Sequence, residues 1–244
     1  MTSRSILRLL AVATLAGLTG HAAANEAVIR KNLAERIPNL PRIDEVRATP
    51  MPGLFEVRLG TELLYTDARG DFLIQGVLID TRARVNLTEE RLDKLTAIAF
   101  DELPLKDAFT VVRGNGQRKL AVFADPNCGF CKRFERDLAK LDNVTIHTFL
   151  YPVLGKDSEA KSRAIWCAKD RAKAWDDWMQ RGVQPPAADA KCDASALERN
   201  LAFGQKYRIT GTPTTILANG QRIPGAIGLE RLEPLLTQAA SANK

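Results

Sequence analysis

The stretch Phe123-Ala124-Asp125-Pro126-Asn127-Cys128-Gly129-Phe130-Cys131-Lys132-Arg133-Phe134-Glu135 decides how the rest of the chain reads. The run Lys119 to Ala124 leads into it as a strand, and Lys132 to Leu141 leaves it with helical spacing. Cys128 then falls at a helix N-terminus, where free backbone N–H groups and the helix dipole favour thiolate over thiol. Cys131 falls one turn further in, where it is shielded. This asymmetry suits thiol–disulfide exchange, with Cys128 exposed as the attacker and Cys131 resolving the mixed disulfide. The chain has four cysteines, so Cys167 and Cys192 form a second set.

Downstream of the motif, Val144 to Tyr151 reads as a second strand. Ala160, Ala164, Ala168 and Ala172 recur every four residues on one long helix that also carries Trp166, Cys167, Trp175 and Trp178. The three tryptophans read as packing residues in preference to a ligand box. Past Pro185-Pro186, Ala194 to Tyr207 is a helix, Thr214 to Leu217 a strand, Asn219-Gly220 a hairpin turn, Gln221 to Pro224 its partner and Leu229 to Leu236 a final helix. The order β-α-β then β-β-α, with helices inserted between, is that of a thioredoxin-type α/β domain. Thr212-Pro213 stands between helix and strand; a cis proline there presents an extended backbone edge to a client peptide, whereas a bare turn proline means little. Asp125 reads either as a proton-transfer group or, more simply, as a strand-end acid.

Upstream, Glu26 to Ile37 is an expected helix ending before Pro38. Leu54 to Leu59, Glu62 to Thr66 and Phe72 to Ile79 are expected strands of a small antiparallel sheet. This α+β unit of about sixty residues buries little surface alone and gains from pairing with a second copy. From Asn86 a capped helix is expected to run through Leu92, Leu95, Ile98 and Ala99 and to stop before Pro104. It reads as a connector between domains, or as a core helix of the second. The expected divisions are residues 25–85, 86–104 and 105–244.

Arg4 and Arg8, an apolar stretch from Leu9 to Leu18 and Ala22-Ala23-Ala24 have the pattern of a secretory signal over residues 1–24. The apolar stretch is short of the roughly twenty residues needed to span a membrane. Export implies a compartment where disulfides persist, in a bacterium the periplasm. Loss of the leader removes two positive charges from a net charge of +6. The remaining basic residues are interspersed with acids, so neither nucleic acid nor stable membrane insertion is called for. Only His147 remains as a histidine, which weakens triads and His-ligated metals. A zinc ribbon needs a second closely spaced cysteine pair, and Cys167 and Cys192 lie about 24 residues apart. A bond between them would close a loop of about 25 residues and stabilise the fold by roughly 3.5 kcal/mol; a second redox couple is the competing reading. No metal or cofactor is expected beyond the redox pair Cys128 and Cys131.

With these residues in view, the chain resembles the DsbC/DsbG family of protein disulfide isomerases. The resemblance is carried by Cys128-Gly129-Phe130-Cys131, Ala164-Ile165-Trp166-Cys167-Ala168-Lys169-Asp170, Lys173-Ala174-Trp175-Asp176-Asp177, Cys192-Asp193, Gly211-Thr212-Pro213 and Asn219-Gly220. It implies an N-terminal cystatin-like dimerisation domain, a linker helix, and two thioredoxin-type domains facing each other across an apolar cleft in a homodimer. It also implies reshuffling of misfolded disulfide-containing secreted proteins, chaperone-like holding of clients, and reduction by a DsbD-type membrane reductase. By the same resemblance Cys128 is the nucleophile and Cys131 resolves. Thr212 and a cis Pro213 contact substrate, and Cys167 with Cys192 is structural. Phe130 departs from the tyrosine of the familiar isomerase. The Gly-Phe dipeptide nonetheless fits this group better than the proline-containing dipeptides of the oxidase DsbA or of DsbG. A thiol oxidase that donates disulfides and a non-enzymatic holdase remain as rival functions.

Overall fold

The structure is a computed structural model that describes residues 17–242, with residues 17–24 described by their backbone alone. The signal reading therefore falls largely outside the described residues. The chain divides into two compact units, one through Leu95 and one from Thr96 onward.

In the first unit, helix α1 (Gly17–Arg36) starts ahead of the expected Glu26 and ends where Pro38 cannot continue it. Strands β1 (Glu45–Ala48), β2 (Leu54–Leu59), β3 (Glu62–Asp67) and β4 (Leu73–Ile74) form an antiparallel sheet in sequence order. Gly60 has φ +65°, as the tight β2–β3 turn requires, and it sets Leu59 opposite Glu62. Ile29 and Leu33 of α1 pack on Val46, Phe55, Val57 and Leu64 of the sheet.

The strand expected over Phe72 to Ile79 is shorter than the sequence suggested. Only Leu73 and Ile74 pair with β3, and the chain re-pairs in a separate ribbon, β5 (Ile79–Asp80) with β6 (Val85–Asn86). Asp67 Oδ1 accepts the Asp71 and Phe72 amides at 2.7 and 3.1 Å, and this turn delays the strand's start. The strand β1 was not anticipated; Pro41 and the charged residues around it obscure its short pattern.

Helix α2 (Leu87–Thr96) begins after Asn86, whose side chain accepts the Glu89 amide at 3.1 Å. It is tied to the sheet by Arg91, which bonds Glu45 at 2.6 Å and the buried Glu56 at 3.2 Å. The helix ends at Thr96, short of Pro104. Ile98 is instead buried in the core of the second unit, where its amide donates to the Gly220 carbonyl at 3.0 Å. A short 3-10 turn follows at Phe100–Glu102 and another at Leu105–Asp107.

The second unit is a five-stranded sheet built from β7 (Phe109–Arg113), β8 (Arg118–Ala124), β9 (Val144–Leu150), β10 (Thr214–Leu217) and β11 (Arg222–Pro224). Their spatial order is β11-β10-β8-β9-β7, with β8 and β9 parallel and the other pairs antiparallel. Helices α3 (Gly129–Leu138), α4 (Lys156–Cys167), α5 (Arg171–Arg181), α6 (Ser195–Lys206) and α7 (Leu229–Ser241) complete it. Because β8 is central, both its faces are buried. Leu120, Val122 and Ala124 join one apolar core with Phe134 and Leu138 of α3, while Ala121 and Phe123 join another with Phe149 and Ile216. Edge strand β7 was not anticipated from the sequence.

The single helix expected across Ala160 to Trp178 is two. Ala168 turns to ψ 146°, and Asp170 caps α5 by accepting the Lys173 amide at 2.9 Å. The alanine repeat runs through this break, with Ala160 and Ala164 on α4, Ala168 at its C-cap and Ala172 on α5.

Candidate active site

Strand β8 delivers the chain to the end of the sheet, Asp125, Pro126 and Asn127 turn it, and α3 starts at Gly129. Cys128 is the N-cap residue, with extended dihedrals of −74° and 116°. Its sulfur accepts the Cys131 amide at 3.3 Å, so a helix-terminal N–H that has no intrahelical partner is directed at Sγ. The Cys128 thiol in turn donates to the Thr212 carbonyl at 3.2 Å. Cys128 and Cys131 are free thiols.

The Thr212–Pro213 peptide is cis. Pro213 is buried, and its carbonyl accepts the Gly225 amide at 2.8 Å, which fixes the loop against the β10–β11 hairpin. Two segments 84 residues apart thus meet at one sulfur. Cys128 is more covered than the sequence implied, only 6% exposed, because the Thr212 loop lies over it. Cys131 is 1% exposed, and burial pushes its thiol well above the ordinary range. Phe130 between them is 62% exposed, with the Arg133 guanidinium 5.4 Å from its ring centre.

Asp125 is fully buried and all its acceptor sites are occupied. Oδ1 takes the Asn127 amide at 2.8 Å and the Ser158 hydroxyl at 2.7 Å; Oδ2 takes the amides of Val153 and Leu154 at 2.9 and 3.0 Å. Such a carboxylate organises the loops around the motif, which favours the strand-end reading over proton transfer. Trp166, Trp175 and Trp178 are buried as packing residues, but the Trp178 indole also donates to the Pro126 carbonyl at 2.6 Å. Neither Ser158 nor Trp178 stood out in the sequence as a neighbour of the motif. They lie 33 and 52 residues from their partners, and a lone serine and a core tryptophan carry no pattern that reveals such contacts.

Cys167 and Cys192 are joined by a disulfide, with Cα atoms 5.9 Å apart. It ties the end of α4 to the segment preceding α6. His147 lies on β9 beside Thr110 and the Phe100 ring, and burial lowers its pKa. Among the described residues no cluster of three or more His, Cys, Asp or Glu side chains is arranged to hold a metal.

Residues 105–240 match the thioredoxin-like domain family, and residues 20–89 match the family described as the disulfide bond isomerase protein N-terminal domain. The chain is 47% identical over 208 residues to the "Probable thiol:disulfide interchange protein DsbC" of Bordetella parapertussis, covering 85% of this chain and 73% of that one. The chain belongs to the DsbC family. It is also 31% identical over 218 residues to the thiol:disulfide interchange protein DsbC of Escherichia coli, covering 86% and 87% of the two chains. A crystal structure of a disulfide interchange protein from Neisseria gonorrhoeae is similar at 37% identity with a TM-score of 0.53, covering 57% of this chain and 99% of that one. DsbC-family membership makes this chain an enzyme of thiol–disulfide exchange.

Proposed function

We propose that the chain is a periplasmic protein disulfide isomerase that works through Cys128 and Cys131, with no cofactor beyond that pair. The observation that carries this reading is the Cys128 sulfur at the start of α3. It receives the Cys131 N–H on one side and faces the Thr212 carbonyl of the cis Thr212–Pro213 peptide on the other. A thiolate there is held by a backbone donor, while the adjacent Thr212-Pro213 edge offers main-chain groups to a client strand.

Cys128 loses its proton to solvent and attacks a client disulfide. The client S–S bond breaks, a Cys128–client disulfide forms, and the released client sulfur takes up a proton. When that client thiol attacks another client disulfide, and a later client thiol attacks the bond to Cys128, the client leaves with new pairing and no net electrons move. If rearrangement stalls, Cys131 displaces the client, which leaves with two thiols as Cys128 and Cys131 become a disulfide. Two electrons must then be returned to the pair, a task that fits a DsbD-type membrane reductase. The buried state of Cys131 disfavours its thiolate until a mixed disulfide draws it into use, which leaves time for rearrangement.

Clients are misfolded secreted proteins with disulfides. Export by a signal over residues 1–24 places the enzyme with them, and no helix among the described residues is long and apolar enough to cross a membrane. The short edge strand β4, with Ile74 51% exposed and the adjoining Phe72 72% exposed, supports a homodimer formed through the first unit. Paired arms would give the enzyme chaperone-like hold on unfolded clients. Replacing Cys131 with Ala should trap client adducts on Cys128. Cys128→Ala should abolish refolding of a scrambled substrate, and full activity of that variant overturns the assignment. A strongly oxidising equilibrium with glutathione would instead identify a disulfide donor.

A further inference from the structure

Two helices inserted into the thioredoxin-type domain reach back to the three residues that precede Cys128. From α5, the Trp178 indole N–H donates to the Pro126 carbonyl at 2.6 Å. From α4, the Ser158 hydroxyl donates to Asp125, and Asn127 Nδ2 donates to Asp157 at 2.7 Å and to Ser158 Oγ at 3.1 Å. Lys161 closes the circuit, since its ammonium pairs with Asp157 and lies 4.8 Å from the Trp178 ring centre. Lys132 of α3 stands 4.2 Å from the same ring centre.

Packing alone does not ask for this arrangement. An indole has one N–H and a serine one O–H, and each of these buried side chains directs its donor at the segment 125–127. Two cations attracted to one aromatic ring further fix that ring in place.

We propose that this clamp is a positioning device for the nucleophile, in which Trp178, Ser158 and Asp157 fix Asp125 to Asn127 and thereby set the redox equilibrium of the Cys128–Cys131 pair. The inference rests on the reading of Cys128 as the attacking thiol. The Cys128 amide donates to the Asp125 carbonyl at 3.1 Å, so the placement of 125–127 is passed to the N-cap. At the N-cap, Sγ accepts the Cys131 N–H at 3.3 Å, and hydrogen bonds weaken as their geometry departs from the optimum. A Cys128 sulfur that gains negative charge as it attacks draws more from that donor than a disulfide sulfur does, so the bond favours the reduced, attacking form of the pair. In the exchange, the Cys128–Cys131 disulfide and two glutathione thiols give the dithiol and one glutathione disulfide, with two electrons and two protons passing to the pair. Loosening the clamp shifts this balance toward the protein disulfide and slows attack by Cys128.

The test is Trp178→Phe in the full chain, which keeps an aromatic ring in place and removes the N–H. At a fixed ratio of glutathione to glutathione disulfide, the ratio of dithiol to disulfide should fall about fivefold, the size expected from one hydrogen bond. The rate of Cys128 alkylation should fall with it, while circular dichroism shows an intact fold. If Trp178→Phe does not fold, Asn127→Ala, at a partly exposed position, is read in the same way and should move the ratio in the same direction. A merely structural role lowers thermal stability and leaves the ratio unmoved, and that result in a folded variant overturns the clamp. A wild-type Cys128 inert to alkylation overturns the nucleophile reading and the clamp together, whereas a reactive wild type with an unmoved variant overturns the clamp alone.

Discussion

Cys128 and Cys131 are three residues apart and both are buried, yet their sulfurs meet different neighbours. One sulfur caps α3 and is met by a backbone N–H; the other is enclosed among apolar side chains, and burial pushes its thiol up. Glu135, one further turn along α3, shows the same effect on a carboxylate. Burial raises its pKa from the ordinary 4.5 to about 7 against the opposing pull of Trp175 and Arg113, and Asp176 adds to the rise. Between these values the folded protein holds a proton that the unfolded chain has released. The contribution of Glu135 to stability is therefore fully present below about pH 4.5 and is lost as pH rises through about 7. Glu135→Gln should flatten this part of the curve. Thermal melts from pH 4 to pH 8 should show the variant losing less stability than wild type as pH rises, and parallel curves would contradict the raised value.

At the scale of elements, the Cys167–Cys192 disulfide joins α4 to the segment before α6 across a separation of 25 residues. Both cysteines replaced by Ala should cost roughly 3.5 kcal/mol on the chain-entropy account, measured by denaturant unfolding. Alkylation of Cys128 should remain close to wild type, because the motif is anchored by Asp125, Ser158 and Trp178 and not by this bond. Abolished Cys128 reactivity in a folded double variant would show that the bond serves the site as well. Elements legible in the sequence were those with strong local periodicity, including β8, α3, β9 and the β10–β11 hairpin. The break between α4 and α5 was hidden because Asp170 works as a cap only once Ala168 leaves the helix, while the alanine spacing continues across it. Helix α2 is shorter than its pattern suggests for a related reason: Leu92, Leu95 and Ile98 suit a helical stripe, but Ile98 gains more in the core around Phe123 and Phe149.

Over the whole molecule, the sequence exposed the sulfur chemistry and the thioredoxin-type order because these depend on local motifs. The contacts that place the site do not. Thr212 reaches Cys128 across 84 residues, and Trp178 reaches Pro126 across 52. The same limit applies to the first unit, whose short sheet is legible but whose β4 edge is shorter than the run Phe72 to Ile79 suggests. That edge leads to the last prediction. In β4, Leu73 and Ile74 use one side to pair with Thr66 and Tyr65, and no further strand of that sheet covers the other among the described residues. Exposed Phe72, Ile74 and Val77 beside an open strand edge make a surface suited to a second copy, since antiparallel pairing would bury the apolar residues and satisfy the free backbone groups together. A lysine at position 74 should oppose that association by placing a charge at the paired edge. Ile74→Lys should therefore sediment at half the wild-type mass while retaining the Cys128 alkylation of the second unit, and a variant that stays dimeric would move the interface away from β4.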